Sequence, residues 1–140
     1  MREIVLNVMT PHPCAISPKA SVMDAATIMR ECNIGDVIIL EGAWLFGILT
    51  DRDIVVRALA EGLEPETTLV GEICSRELTT VESTASLGHA VRLMRENAIR
   101  RLPVVDDAGR VMGVVTISDV APERDHRSAL ADVGSTPPNL

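Results

Sequence analysis

Apolar residues recur at Val22, Ala25, Ala26 and Met29, and again at Leu87, Ala90, Val91 and Met94. Both sets step by i, i+3, i+4 and i+7, the stripe of a half-buried helix. Ser21 and Ser86 stand just ahead of the stripes and are N-cap candidates, because a serine oxygen accepts a backbone N–H that a helix start leaves orphaned. Each stripe is followed by a continuous apolar run, Val37-Ile38-Ile39-Leu40 or Leu102-Pro103-Val104-Val105. Turn residues come next, Glu41-Gly42 or Asp106-Asp107-Ala108-Gly109, and then a second run from Leu45 to Leu49 or from Val111 to Val115. These read as hairpins. With short extended pieces ahead of each serine, Ala15-Ile16 and Thr79-Thr80-Val81, both halves predict the order strand, helix, hairpin, helix.

The patterns agree because the chain is two copies of one unit. Placing Ser21 on Ser86 (86 − 21 = 65) matches Met29-Arg30-Glu31 to Met94-Arg95-Glu96 and Ile34 to Ile99. Further on, Gly47-Ile48-Leu49-Thr50-Asp51-Arg52-Asp53-Ile54 matches Gly113-Val114-Val115-Thr116-Ile117-Ser118-Asp119-Val120 (113 − 47 = 66), so one extra residue sits in the second hairpin. A lone unit of about 60 residues buries too little apolar surface to be secure, and two can pack into one domain. The expected fold is therefore α/β (α+β), two pseudo-twofold related repeats, each a small sheet packed with helices. Residues 1–68 form the first repeat with a connector from Leu59 to Thr68, residues 69–122 the second, and 123–140 a polar, partly disordered tail. After Asp53 the first helix runs on through Ile54 to Ala60; its counterpart meets Pro122, which lacks an N–H and cuts it.

The repeated Gly-x-x-Thr-x-x-Asp, Gly47/Thr50/Asp53 and Gly113/Thr116/Asp119, sits where a strand passes into a helix. Two readings are open. Thr-x-x-Asp is close to a capping box, with the acid in the first turn where the helix dipole favours it. Alternatively, the glycine marks a close backbone approach, the Thr hydroxyl and backbone N–H groups suit a phosphate, and the carboxylate suits the two hydroxyls of a ribose.

Charge and composition narrow the partners. With 13 Lys+Arg against 20 Asp+Glu the net charge is −7, which disfavours a nucleic-acid backbone. One Trp, one Phe and no Tyr leave no stacking platform for bases. No apolar run reaches the roughly 18 residues of a membrane span, and the first residues lack the apolar stretch of a signal peptide, so a cytoplasmic protein with no membrane partner is expected. Cys14, Cys32 and Cys74 form no C-x-x-C pair and read as free thiols, and His12, His89 and His126 are scattered, so no metal site is expected. No Ser/His/Asp or Cys/His set is visible, which points away from an enzyme. Met9, Met29 and Met94 read as core gap-fillers, and Trp44 with Phe46 as an exposed apolar pair suited to a protein contact.

The internal repeat, the run Arg101-Leu102-Pro103-Val104-Val105-Asp106 and the paired Gly-x-x-Thr-x-x-Asp resemble tandem CBS domains, the CBS pair or Bateman module, over residues 8 to 121 or so. Leu49-Thr50-Asp51-Arg52-Asp53-Ile54-Val55 is similar to the corresponding stretch of small stand-alone bacterial CBS-pair proteins. The resemblance implies repeats of the order β-α-β-β-α and a non-enzymatic regulatory module, with no cofactor required. Its ligand would be adenosyl, AMP, ADP, ATP, NAD or S-adenosylmethionine, held in clefts between the repeats that take Thr and Asp from one copy and base contacts from the other. By position, one cleft would use Thr10, Ala15, Ile34, Arg100, Val114, Thr116, Ser118 and Asp119. Its twin would use Ser75, Thr80, Ile99, Ile48, Thr50, Arg52 and Asp53. The first is favoured, because family members that hold several phosphates often carry basic residues where Arg100-Arg101 stand, whereas the first copy has Gly35-Asp36. The resemblance also implies a homodimer and a regulated partner protein of unknown identity. The alternative is a dimerisation or docking module with vestigial clefts.

Overall fold

Ser21 and Ser86 start helices in the expected way: the Asp24 N–H donates to Ser21 Oγ at 3.0 Å and the His89 N–H to Ser86 Oγ at 3.1 Å. The computed structural model describes residues 3–11, 13–76 and 78–120. The polar tail and the break expected at Pro122 lie outside the described residues. The chain divides into two compact units, residues 14–78 and residues 1–13 together with 79–140.

In the unit of residues 14–78, β2 (Ala15–Ile16) is followed by α2 (Val22–Cys32), β3 (Asp36–Glu41) and β4 (Trp44–Thr50). The sheet order is β2-β3-β4, with β2 parallel to β3 (Ala15 opposite Ile38) and β3 antiparallel to β4 (Asp36 opposite Thr50). Alternation along β3 sends Val37 and Ile39 into a core shared with Val22, Ala25 and Met29 of α2 and Leu49 of β4. A short turn of helix, α3 (Asp51–Asp53), follows β4. The expected helix beyond it is present but wide: Ile54–Leu59 is π-helical, the Ala60 N–H reaching back five residues to Val55 O at 2.8 Å and the Leu63 N–H to Ala58 O at 2.9 Å. The segment buries Ile54 and Ala58 and leaves Val55, Val56 and Leu59 exposed. The unit closes with α4 (Val70–Ile73), which adds Val70 and Ile73 to the core and which the hydrophobic pattern did not announce.

The other unit repeats the order with β5 (Val81–Glu82), α5 (Leu87–Asn97), β6 (Arg101–Val105), β7 (Val111–Thr116) and α6 (Ile117–Val120). Thr79 and Thr80 precede the strand and do not extend it. The extra hairpin residue is absorbed by a turn around Asp106, whose Oδ1 accepts the Ala108 and Arg110 N–H groups at 2.9 Å each. Those bonds and the Arg110 guanidinium hold its carboxyl below the ordinary range. This unit also takes in the chain's beginning. α1 (Val5–Val8) buries Val5 beside Met94, Leu102 and Val115, and β1 (Thr10–Pro11) pairs antiparallel with β7, giving the order β1-β7-β6-β5.

The glycines of the repeated motif allow such pairings. A Cβ on Gly113 would collide with the Thr10 carbonyl oxygen, and one on Gly47 would lie 2.7 Å from both Ser75 O and Cys74 Sγ. The close approach expected from the sequence is thus to the protein's own backbone. Gly113→Ala should lower stability by about 1–3 kcal/mol, because backbone cannot yield to the methyl group. Gly88→Ala, in α5 where nothing lies within 4 Å, should instead raise it by about 0.5–1 kcal/mol. Denaturation midpoints of the two variants moving in the same direction would contradict this account.

Candidate functional site

In the unit containing the chain's beginning, β7 delivers Thr116 to the start of α6. The Thr116 N–H donates to Asp119 Oδ2 at 2.8 Å, and the Thr116 and Ser118 hydroxyls share a hydrogen bond at 3.0 Å. The Arg100 carbonyl accepts the Ile117 N–H at 2.9 Å, which ties the entry to β6 to the same corner. β1 lays Thr10, an exposed residue, opposite Val114. Six expected site residues, Thr10, Arg100, Val114, Thr116, Ser118 and Asp119, therefore belong to one unit.

The unit of residues 14–78 builds the counterpart. Here the capping box is complete, the Thr50 N–H donating to Asp53 Oδ2 at 3.0 Å and the Asp53 N–H to Thr50 Oγ1 at 3.0 Å. Ser75 takes the position of Thr10, bridged to Ile48 by two backbone bonds of 3.1 and 2.9 Å. Gly35 takes the position of Arg100, its carbonyl accepting the Asp51 N–H at 2.9 Å. Ile48, Thr50, Arg52, Asp53 and Ser75 are thereby gathered, with Arg52 exposed.

The expected sets divide along the units. Thr10 and Ser75 each share a unit with the Thr and Asp they were matched to, because the segments carrying them are added to the motif strands. Ala15 and Ile34 belong to the other unit, Ala15 in register with Ile38 and Ile34 donating its N–H to Met29 O at 3.0 Å. Thr80 and Ile99 lie with β5 and α5, the Ile99 N–H donating to Met94 O at 3.0 Å.

One residue of this geometry was missed. Arg57 stands four residues after Asp53 and places Nε 3.6 Å from Asp53 Oδ1 while donating from Nη1 to the Ile73 carbonyl at 3.2 Å. The i, i+4 acid–base spacing was visible; the corresponding position of the second copy (57 + 66 = 123) is Glu123, outside the described residues. Both Asp53 oxygens are engaged. Among the described residues, Asp119 Oδ1 has no protein partner, so the two acids differ in what they can accept.

Cys74 packs its sulfur against Gly47, and burial pushes its thiol up despite the opposing pull of Arg76. Trp44 is 51% exposed as expected, but Phe46 is not its exposed companion. Phe46 is half-buried against the core, with the Arg76 guanidinium 3.6 Å over its ring. Strict alternation would put Phe46 on the face of Trp44, but the register slips at Phe46, between the pairs Ile39–Gly47 and Leu40–Leu45, and this bulge frees it to pack against the core while the cation covers the ring. Among the described residues no three His, Cys, Asp or Glu side chains are grouped to hold a metal, and no helix is long and apolar enough to cross a membrane.

A family match described as CBS domain covers residues 2–59 and 70–124. The chain is 38% identical over 117 residues to the CBS domain-containing protein YhcV of Bacillus subtilis, spanning 84% of this chain and 82% of that one. It is 39% identical over 105 residues to an uncharacterised protein of Methanopyrus kandleri, covering 74% of this chain and about half, 54%, of that protein's length. Among solved structures it resembles Hypoxic Response Protein I with two coordinated zinc ions (TM-score 0.77, 34% identity, 84% of this chain and 96% of that one). It also resembles the CBS domain pair of protein MJ0100 in complex with 5′-methylthioadenosine and S-adenosyl-L-methionine (TM-score 0.72, 30% identity, 86% and 94%). A further match is CBSX2 in complex with AMP (TM-score 0.72, 28% identity, 91% and 96%).

The two threonines make an internal comparison. Thr50→Ala removes a cap that the Asp53 N–H uses and should cost about 1 kcal/mol. The Thr116 hydroxyl bonds Ser118, so Thr116→Ala should change stability by no more than about 0.5 kcal/mol. Denaturant midpoints decide it; equal losses would mean that both hydroxyls serve only as caps.

Proposed function

The chain belongs to the CBS domain family, and from that premise we propose that it is a non-enzymatic regulatory module that binds an adenosyl ligand and acts through a homodimer. AMP, ADP, ATP, NAD and S-adenosylmethionine are the candidate ligands. The observation that carries the reading is Asp119. Its Oδ2 is held by the Thr116 N–H, which fixes the carboxylate, while Oδ1 remains an acceptor for ribose hydroxyls among the described residues. Thr116 and Ser118 present a hydroxyl pair beside it, the Ile117 N–H ties the Arg100 backbone to the same corner, and the Arg100 guanidinium is the charge assigned to phosphates in this reading. Thr10 and Val114 extend this half-site along β1 and β7, and Ala15 and Ile34 supply the base contacts. Solved relatives that hold AMP or S-adenosyl-L-methionine support the ligand class.

The half-site of Thr50 and Asp53, with Ile48, Arg52 and Ser75 and the base contacts Thr80 and Ile99, is the weaker of the two. A ribose there must displace Arg57 from Asp53, and no basic residue stands where Arg100 does. The homodimer is supported by the apolar side chains Val55, Val56, Leu59 and Leu63, which are 56%, 42%, 54% and 40% exposed. The same side chains favour the second reading, a dimerisation or docking module with vestigial ligand sites.

Asp119→Ala should weaken AMP binding by roughly 1.5–3 kcal/mol, the scale of charge-assisted hydrogen bonds to a ribose. Arg100→Ala should weaken ATP more than adenosine, with a difference that shrinks as salt screens the charge. Calorimetric titration is the measurement, and wild-type affinity in Asp119→Ala would return that residue to a purely capping role. In light scattering the protein should have a dimer's mass and Val56→Asp a monomer's; a monomeric wild type would remove the dimer from the proposal.

A further inference from the structure

β2 and β3 are parallel and joined through α2, so the chain climbs one strand, returns along the helix and climbs the next. The residue that enters β2 and the residue that ends α2 consequently fall at the same end of this unit. Those residues are Cys14 and Cys32. The Cys14 carbonyl accepts the Ile38 N–H at 3.4 Å, which fixes the approach to β2, and Asn33 in the left-handed conformation ends α2 just beyond Cys32. Both thiols are free, Cys14 half-buried and Cys32 exposed, and the Cys14 thiol acts on that of Cys32, pushing its titration up. The third thiol, Cys74, is buried and bonds the Gly71 carbonyl at 3.8 Å.

We propose that Cys14 and Cys32 are a redox-reactive pair that closes reversibly into an intramolecular disulfide, with a low-molecular-weight disulfide of the glutathione class as oxidant. Cys32, the exposed partner, attacks as thiolate on one sulfur of the oxidant and expels one thiolate. Cys14 as thiolate then displaces the second from the mixed disulfide. One S–S bond breaks in the oxidant as one forms in the protein. The two protein thiols give up two electrons, and their two protons finish on the two released thiols. The neighbouring Cys14 thiol keeps the proton on Cys32, which slows the first step, so the pair is characterised at equilibrium. Closing the bond brings the two sulfurs to about 2.05 Å. The coil before β2 and the last turn of α2 are the segments that must move.

Cys14 immediately precedes Ala15, and Cys32 stands two residues before Ile34. Resting on the function proposed above, in which Ala15 and Ile34 contact the base, closing the disulfide draws their two segments together and weakens the adenosyl ligand's hold.

The test equilibrates the full chain with reduced and oxidised glutathione over a range of ratios, quenches with acid, alkylates the remaining thiols and maps the peptides by mass spectrometry. The expected product joins Cys14 to Cys32 within one chain and reverts when the ratio is reversed, while Cys74 stays a thiol. Separate glutathione adducts, two free thiols at the most oxidising ratio, or pairing with Cys74 or a second chain would overturn the pair. AMP titration of the same samples should show weaker binding in the oxidised wild type and no redox response in Cys14→Ser/Cys32→Ser. A disulfide that leaves AMP affinity unchanged would refute the coupling. No AMP binding in either redox state would instead refute the ligand reading and leave the disulfide standing.

Discussion

The structure turns on two places where a second backbone lies against a strand with no side chain between them. Gly113 admits the segment bearing Thr10 and Gly47 admits the segment bearing Ser75, and any Cβ at either position would meet a carbonyl oxygen. A strand edge covered in this way has its hydrogen bonds satisfied, and the covering segment gains a fixed register. The register sets Thr10 beside Val114 and Ser75 beside Ile48, each two residues before the threonine that ends the strand. The glycine therefore acts upstream of any ligand chemistry. It determines which polar residue accompanies the Thr and Asp of its unit.

Duplication has kept this scaffold and let its chemistry diverge. Both acids accept the N–H of the threonine three residues earlier, at 3.0 and 2.8 Å. Among the described residues only Asp53 also has an arginine, which shares itself with the Ile73 carbonyl of α4. A carboxylate with both oxygens occupied is part of the framework, whereas one with an oxygen to spare retains capacity for something else. The basic residue ahead of the strand differs in the same sense, Arg100 in one unit and Gly35 in the other. Two strand-to-helix corners with one ancestry thus divide, among the described residues, into a braced one and an open one.

Periodicity made the helices, hairpins and repeat offset legible, because i, i+3, i+4, i+7 stripes and apolar runs bounded by turn residues are set by local geometry. Both readings of Thr-x-x-Asp were also available, since a capping box is a local sequence pattern, and the structure realises it fully at Thr50 and in half at Thr116. Three short elements escaped. β1, α1 and α4 are too short to show a period, and they exist because the surrounding core and strand edges recruit them. The assignment of Thr10 and Ser75 to their own units was hidden for a related reason: strand addition depends on pairing between distant parts of the chain. Phe46 was misjudged because neither the direction of its side chain nor the guanidinium above its ring is a property of the hairpin sequence alone.

The pairing of β1 with β7 joins Thr10 to Val114, a separation of 104 residues (114 − 10). As the chain emerges from a ribosome, the unit of residues 14–78 has all its strands and helices in hand while the rest is still being made. β1, synthesised before it, must wait until β7 has appeared. Closing so long a loop is slow and entropically costly, and it becomes favourable only when β7 offers its edge. The order of synthesis is therefore not the order of folding. β1 is made before the unit of residues 14–78 and finds its place after it, and Thr10 takes up its position beside Val114 only once β7 exists to pair with.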